Sequence, residues 1–235
     1  MRMRTLAIAA ASLLSVGSAS AADLPVKAAP MVAPAVYDWS GLFIGAQVGR
    51  VWGTVPNAFV IGGASTSQPA YATRGWVFGG HLGYNWQRGN VVFGVVADLE
   101  WSNVKGDDNG LSGVLDALES DWRGSLRGRL GLAWNQLLIY VTGGLAWANQ
   151  EYFLRQVGGP GSTSVSITDL GWTLGVGGEY AINPAWSVFV EYRYTDFGSR
   201  SAIFAATAFS AAQTINYSYR DSATRIGISY HFGRR

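Results

Sequence analysis

Between Trp39 and Phe232, apolar residues recur at every second position in short runs, with small or polar residues between them. A period of two is the pattern of a β-strand with one face in an apolar medium. Eight segments carry it. In the first, about 39–52, Leu42, Ile44, Ala46 and Val48 alternate with Gly41, Phe43, Gly45, Gln47 and Gly49. In the second, about 74–87, Trp76, Phe78, Leu82, Tyr84 and Trp86 oppose Gly79, His81, Gly83 and Asn85. The third, about 91–102, sets Val91, Phe93, Val95, Ala97, Leu99 and Trp101 against Asp98 and Glu100. The fourth, about 121–134, sets Trp122, Leu126, Leu130, Leu132 and Trp134 against Arg123, Ser125, Arg127 and Arg129. The remaining four are about 137–149, 168–182, 186–197 and 217–232. The last ends on Ile226, Ile228, Tyr230 and Phe232, which alternate with Arg225, Gly227, Ser229 and His231.

The connections alternate in length. Arg88-Gly89-Asn90, Asn135-Gln136 and Asn183-Pro184-Ala185 are turn formers and predict tight turns. The other four connections, near 53–73, 103–119, 150–166 and 198–216, are long and are expected to lack ladder hydrogen bonds. No apolar run outside the N-terminus reaches the length of a spanning helix, about 20 residues. A chain of this pattern crosses a membrane only as a closed sheet, because hydrocarbon leaves no unpaired N–H or C=O satisfied. The predicted fold is therefore all-β: an eight-stranded antiparallel up-and-down transmembrane β-barrel. Short turns face the periplasm and long loops the outside of a Gram-negative cell.

Tryptophan placement sharpens this. Trp39, Trp86, Trp134 and Trp186 fall near the short-turn ends of the segments. Trp52, Trp76, Trp101, Trp122, Trp147 and Trp172 fall near the long-loop ends. Indole rings prefer the headgroup level, so two aromatic girdles are expected. The ten steps from Trp76 to Trp86 cover about 25 Å of bilayer at about 3.3 Å per residue and a tilt near 40°. A soluble β-sandwich would instead scatter its core tryptophans through strand centres. Trp39 and Trp52 differ in parity within one segment, so one of them is expected to face inward or to follow a bulge.

The opposite faces carry charge. Asp98, Glu100, Glu179, Glu191, Arg123, Arg127, Arg129, Arg193 and Arg225 fall at inward parity. An eight-stranded barrel is narrow enough for side chains to fill it, and ions in such a space must pair. Two readings follow: a salt-bridge plug, or the lining of a narrow pore. The fourth segment lies beside the third, so Arg127 and Arg129 can meet Asp98 and Glu100 across the ladder.

Composition alters the picture at the N-terminus. Arg2 and Arg4, the apolar run Leu6–Val16 and Ala19-Ser20-Ala21 read as a cleaved signal peptide, residues 1–21. Residues 22–37, with Pro25, Pro30 and Pro34, read as a periplasmic leader, 38–232 as the barrel and 233–235 as a short extension. Of 17 Lys and Arg, two leave with the signal and the remaining 15 balance the 15 Asp and Glu, so charge gives no reason to expect nucleic acid. The absence of cysteine leaves stability to sheet closure. His81 and His231 are the only histidines, and no spacing suggests a metal, a phosphate loop or a cofactor. A lipid-modifying enzyme using His81 is the remote catalytic alternative.

Several stretches carry a family resemblance. They are Ala21-Ala22-Asp23-Leu24-Pro25, Trp39-Ser40-Gly41-Leu42-Phe43-Ile44-Gly45, Arg127-Gly128-Arg129-Leu130-Gly131, Tyr140-Val141-Thr142-Gly143-Gly144, Gly171-Trp172-Thr173 and Glu191-Tyr192-Arg193-Tyr194-Thr195-Asp196-Phe197-Gly198. Through them the chain resembles the small outer-membrane immunogenic proteins and porin-family barrels of alphaproteobacteria, with an OmpA-like transmembrane barrel. The resemblance covers nearly all of 22–232. It implies an envelope structural role, a surface-antigen character, and outer-membrane lipid, lipopolysaccharide and the barrel-assembly machinery as partners. Some relatives are linked to haem, but the long loops here contain no histidine. Ile226, Ile228, Tyr230 and Phe232 would form the assembly signal, although Gly233-Arg234-Arg235 follows the usual terminal aromatic.

Overall fold

Strands in hydrocarbon must have both edges paired, and here the sheet meets that demand by closing on itself. The computed structural model describes residues 37–55, 57–61, 64–67, 70–107, 114–156, 162–204 and 213–233. These lie within the unit Ala35–Arg235. The expected signal peptide, all of the leader but Tyr37, and Arg234 and Arg235 lie outside the described residues.

Among the described residues there are ten strands: β1 (Gly41–Val55), β2 (Asn57–Ile61), β3 (Ala64–Ser67), β4 (Tyr71–Arg88), β5 (Val91–Asp107), β6 (Val114–Trp134), β7 (Leu137–Gln156), β8 (Ser162–Ala181), β9 (Trp186–Phe204) and β10 (Gln213–His231). Eight of them, β1 and β4 to β10, pair antiparallel with their neighbours in order. β10 then pairs with β1, from Phe43 opposite His231 to Thr54 opposite Arg220. The backbone N–H of Phe232 donates to Leu42 O at 2.9 Å, continuing this seam at the short-turn end. The barrel is closed, antiparallel and eight-stranded.

The tight turns fall as the sequence predicts. Gly89-Asn90 joins β4 to β5 and Asn135-Gln136 joins β6 to β7, with left-handed φ of 63° at Gly89 and 51° at Asn135. These are residue types that tolerate that region. Between β8 and β9, Asn183 Oδ1 accepts from the N–H groups of Ala185 and Trp186, each at 2.9 Å.

The long connections differ from expectation. β7 runs on to Gln156 and β8 begins at Ser162, paired from Arg155 opposite Ser162 down to Leu137 opposite Tyr180. β6 begins at Val114 and stays paired with β7 through a bulge between Ser120 and Trp122. β2 pairs with β10 and with β3, extending the sheet within the segment 53–73. The ladder thus continues through much of the four segments expected to lack it. Its one sharp asymmetry is at β8 and β9. They pair only from Trp172 opposite Asp196 to Ala181 opposite Ser187. Beyond that point β8 follows β7 and β9 follows β10.

The two faces sort as the period of two demands. Leu42, Ile44, Leu82, Val95, Leu126, Leu130, Val141, Leu174 and Val190 stand exposed on the outside. An exposed apolar belt this wide is out of place in water and fits a lipid solvent.

Candidate functional site

Inward positions on seven strands converge on one charged cluster. The sequence-predicted nine, Asp98, Glu100, Arg123, Arg127, Arg129, Glu179, Glu191, Arg193 and Arg225, are all buried. Arg127 uses every nitrogen of its guanidinium. Nη2 donates to Asp98 Oδ2 at 2.9 Å, Nη1 to Glu191 Oε1 at 3.0 Å and Thr142 Oγ1 at 2.8 Å, and Nε to Ser125 Oγ at 2.9 Å. Arg193 reaches Asp98 Oδ1 at 3.1 Å and Glu191 Oε1 at 2.8 Å. Arg225 grips Glu100 with two parallel bonds of 2.8 Å, the fork geometry that makes arginine–carboxylate pairs strong. Gln47 Nε2 adds a third donor to Glu100 at 2.6 Å. Arg129 pairs with Glu179 and lies over the Tyr140 ring, 3.7 Å from its centroid.

The pairs run across the lumen more than along the wall. β5 and β9 stand opposite each other in the closed order, as do β6 and β10. Arg193 on β9 therefore reaches across to Asp98 on β5. Arg123 on β6 reaches Asp221 on β10, with Nη2 to Oδ2 at 2.6 Å. Of the expected cross-ladder pairs, Arg127 does meet Asp98. Arg129 does not meet Asp98 or Glu100. Glu100 lies opposite Arg123 in the register yet binds Arg225. Asp221, the acid that serves Arg123, is a site residue the sequence reading missed. It sits in Ser218–Thr224, where no apolar alternation marks the inward face.

Trp39 corrects the girdle assignment. It is 0 % exposed and packs inside the short-turn mouth with Tyr37, Val92, Ala133, Leu138, Tyr140 and Ala181. The His231 ring stands edge-on, 5.7 Å away between centroids. Trp39 precedes β1, so strand parity does not govern it. Its backbone N–H is held by Gln87 Oε1 at 2.6 Å. Trp52, Trp76, Trp86, Trp101, Trp122, Trp134, Trp172 and Trp186 point outward and are exposed. Trp147 is half-buried, its ring in the space a Cβ on Gly124 would take.

At the long-loop end Val51, Val77, Val104 and Ala223 form a second buried apolar cluster, and Phe197 stacks on Tyr219 at 5.5 Å. Between the ends, two small cavities lined by both charged and apolar side chains measure about 20 Å³ and about 10 Å³, room for about one water each. The histidines belong to this packing. His81 Nε2 meets Ser229 Oγ at 3.0 Å. His231 Nε2 faces both Ser187 Oγ, at 2.9 Å, and Glu179 Oε1, at 3.3 Å. A hydrolytic triad needs the acid on the other ring nitrogen, and in neither case is it there. Among the described residues no group of three His, Cys, Asp or Glu side chains is placed to hold a metal.

Ile226, Ile228 and Phe232 point outward on the last strand and Tyr230 is half-exposed there, with the Tyr230 and Phe232 rings 5.0 Å apart.

This barrel has close counterparts. The family model described as outer membrane protein beta-barrel domain matches residues 8–232. The 31 kDa outer-membrane immunogenic protein of Brucella melitensis is 33% identical over 98% of this chain and all of its own length. The 22 kDa outer membrane protein of Rhizobium leguminosarum bv. viciae is 31% identical over 90% of this chain and 83% of its own. The crystal structure of the outer membrane protein OprG from Pseudomonas aeruginosa shares the fold, with a TM-score of 0.62 at 12% identity, covering 84% of this chain and 98% of that one. A lipid-facing apolar belt, a lumen of paired charges and this likeness in sequence along the whole barrel lead to one conclusion: the chain belongs to the outer membrane protein beta-barrel domain family and is a β-barrel protein of the outer membrane.

Proposed function

We propose that this protein is a structural and surface element of the envelope, with a barrel that is a scaffold rather than a conduit. The observation that carries this is the lumen. Ion pairs cross it from wall to wall, and Trp39 fills its short-turn mouth. With the interior occupied, the outer surfaces are what remains to act. The apolar belt sits in membrane lipid. The long-loop end, extended by the ladders of β5 to β10, presents surface outside the cell. The names of the relatives as outer-membrane immunogenic proteins support a surface-antigen character. They also support a non-enzymatic role, as does the absorption of both histidines into lumen packing. The signal peptide exports the chain, and Ile226, Ile228, Tyr230 and Phe232 are read by the barrel-assembly machinery.

The chain has no cysteine, so single introduced thiols report topology cleanly. A Ser201→Cys variant in whole cells should react with a membrane-impermeant maleimide, and a Gln136→Cys variant only after lysis. The reverse pattern would contradict the surface reading. Deletion of the gene should sensitise cells to bile-salt detergents, with rescue by the wild type and by His81→Ala alike. An altered lipid profile in the His81→Ala strain would instead favour an enzyme.

A further inference from the structure

Cations crowd one sector of the outer wall. In the register of β1 and β4, Arg50 lies opposite Trp76 and Trp52 opposite Arg74. On β5, Lys105 lies opposite Arg74. All five side chains are exposed. Residues directly opposite are about 5 Å apart and diagonal ones about 7–8 Å. Three like charges at that spacing repel. Lys105 is relieved by Glu119, Nζ to Oε1 at 2.8 Å. The Arg50 guanidinium carbon lies 5.1 Å from the centroid of the Trp76 ring. Neither Arg50 nor Arg74 has a carboxylate partner among the described residues.

Their height matters. Trp76 lies ten residues along β4 from Trp86, about 25 Å across the bilayer. The cluster therefore sits at the long-loop edge of the apolar belt, where outward residues meet headgroups. Below it, past the exposed Phe78, small residues face each other on the two strands. Ala46 lies opposite Gly80, and a Cβ on Gly80 would come no closer than 3.4 Å to any atom. Across the barrel from β1, on β7, the same rim carries Glu151 half-exposed.

We propose that Arg50 and Arg74, with Lys105 beside them, bind a phosphate of lipopolysaccharide in the outer leaflet. Guanidinium groups form forked, charge-assisted bonds to phosphate oxygens, and an anion held between two of them removes their repulsion. The indoles of Trp52 and Trp76 pack against the sugar–acyl junction, and an acyl chain lies along the shallow surface over Ala46 and Gly80. This rests on the reading that the long-loop end faces outward, which the thiol labelling above tests separately. Binding in detergent does not depend on orientation, so the two can fail independently.

The test uses the refolded full barrel in zwitterionic detergent, with unfolding followed by heat-modifiable gel mobility. Purified lipopolysaccharide should raise the unfolding temperature of the wild type. The same material chemically dephosphorylated should not, nor should inorganic phosphate alone. Arg50→Gln/Arg74→Gln should fold to the same fast-migrating form and require about tenfold more lipopolysaccharide for the same shift. If the double variant does not fold, Arg74→Gln alone should show the smaller loss. Glu151→Gln, across the barrel, should respond as the wild type does. An equal shift in the arginine variants, an equal shift with dephosphorylated lipid, or a full shift with inorganic phosphate would each overturn the proposal.

Discussion

Removing Arg127 would leave Asp98 and Glu191 each with one arginine where two now serve them. Breaking a buried pair by deleting one partner costs about 3–5 kcal/mol, because the remaining charge has no water to turn to. Leu126, next in sequence, is 53 % exposed on the lipid face, and lipid fills the space its truncation leaves. Arg127→Ala should therefore lower the unfolding midpoint in detergent more than Leu126→Ala does. Equal midpoints would mean a wet lumen with solvated arginines. Glycines divide by face in the same way. A Cβ on Gly45 would overlap the His81 ring and the Ile228 carbonyl, while one on Gly178 would meet nothing within 4 Å. Gly45→Ala should reduce the yield of heat-modifiable barrel, and Gly178→Ala should leave it unchanged. At this scale the sequence shows which side chains point inward, since parity suffices for that. It does not show their partners. Glu100 prefers Arg225 to its ladder neighbour Arg123 because closure brings distant strands face to face, and a linear pattern carries no record of that distance. Parity alone shows that Trp39 and Trp52 cannot both face lipid, but not which turns inward, because Trp39 enters the mouth from a segment that precedes β1.

Strand cores and tight turns were legible because one face meets lipid and the other a packed lumen, which keeps the alternation strict. Strand lengths were not. Residues 150–156 and 162–168 continue the ladder of β7 and β8, but their sequences, Gln-Glu-Tyr-Phe-Leu-Arg-Gln and Ser-Thr-Ser-Val-Ser-Ile-Thr, break the pattern of the spanning cores: the first groups its apolar residues in one block, and in the second Val165 and Ile167 fall at the parity opposite to Leu170 and Trp172. Beyond the bilayer both faces can meet water, so the period of two fades while the hydrogen bonds persist. The hairpin of β2 and β3 went unread although Gly62-Gly63 between them is a hairpin signal, because Asn57–Ile61 and Ala64–Ser67 are short and lack aromatic or charged alternation. Amide exchange should separate the two accounts. Slow exchange through Tyr152–Leu154 is expected from the paired extension, and rapid exchange would return these residues to a loop. Along β8 above Trp172, the amides that face β7 should likewise exchange slowly, because the β7–β8 ladder continues to Ser162.

For the molecule as a whole, three layers fill one lumen: an aromatic plug around Trp39, a charged middle, and an apolar and aromatic cap at Val51, Val77, Val104 and Phe197. Each layer alone would narrow a pore, and together they leave cavities the size of single waters. The outer wall complements this with a lipid-facing belt and a cationic sector at one rim. On the proposed function, the barrel is held in the membrane and displays its long-loop end. A closed interior does not conduct, so planar-bilayer conductance tests the proposed scaffold role. Refolded wild-type barrel inserted at physiological salt should give no steady conductance steps above the bare bilayer, and Arg127→Ala should add no stable open level. Long-lived open channels in the wild type, or a large stable increase in the variant, would show that the charged layer lines a pore and would contradict the account.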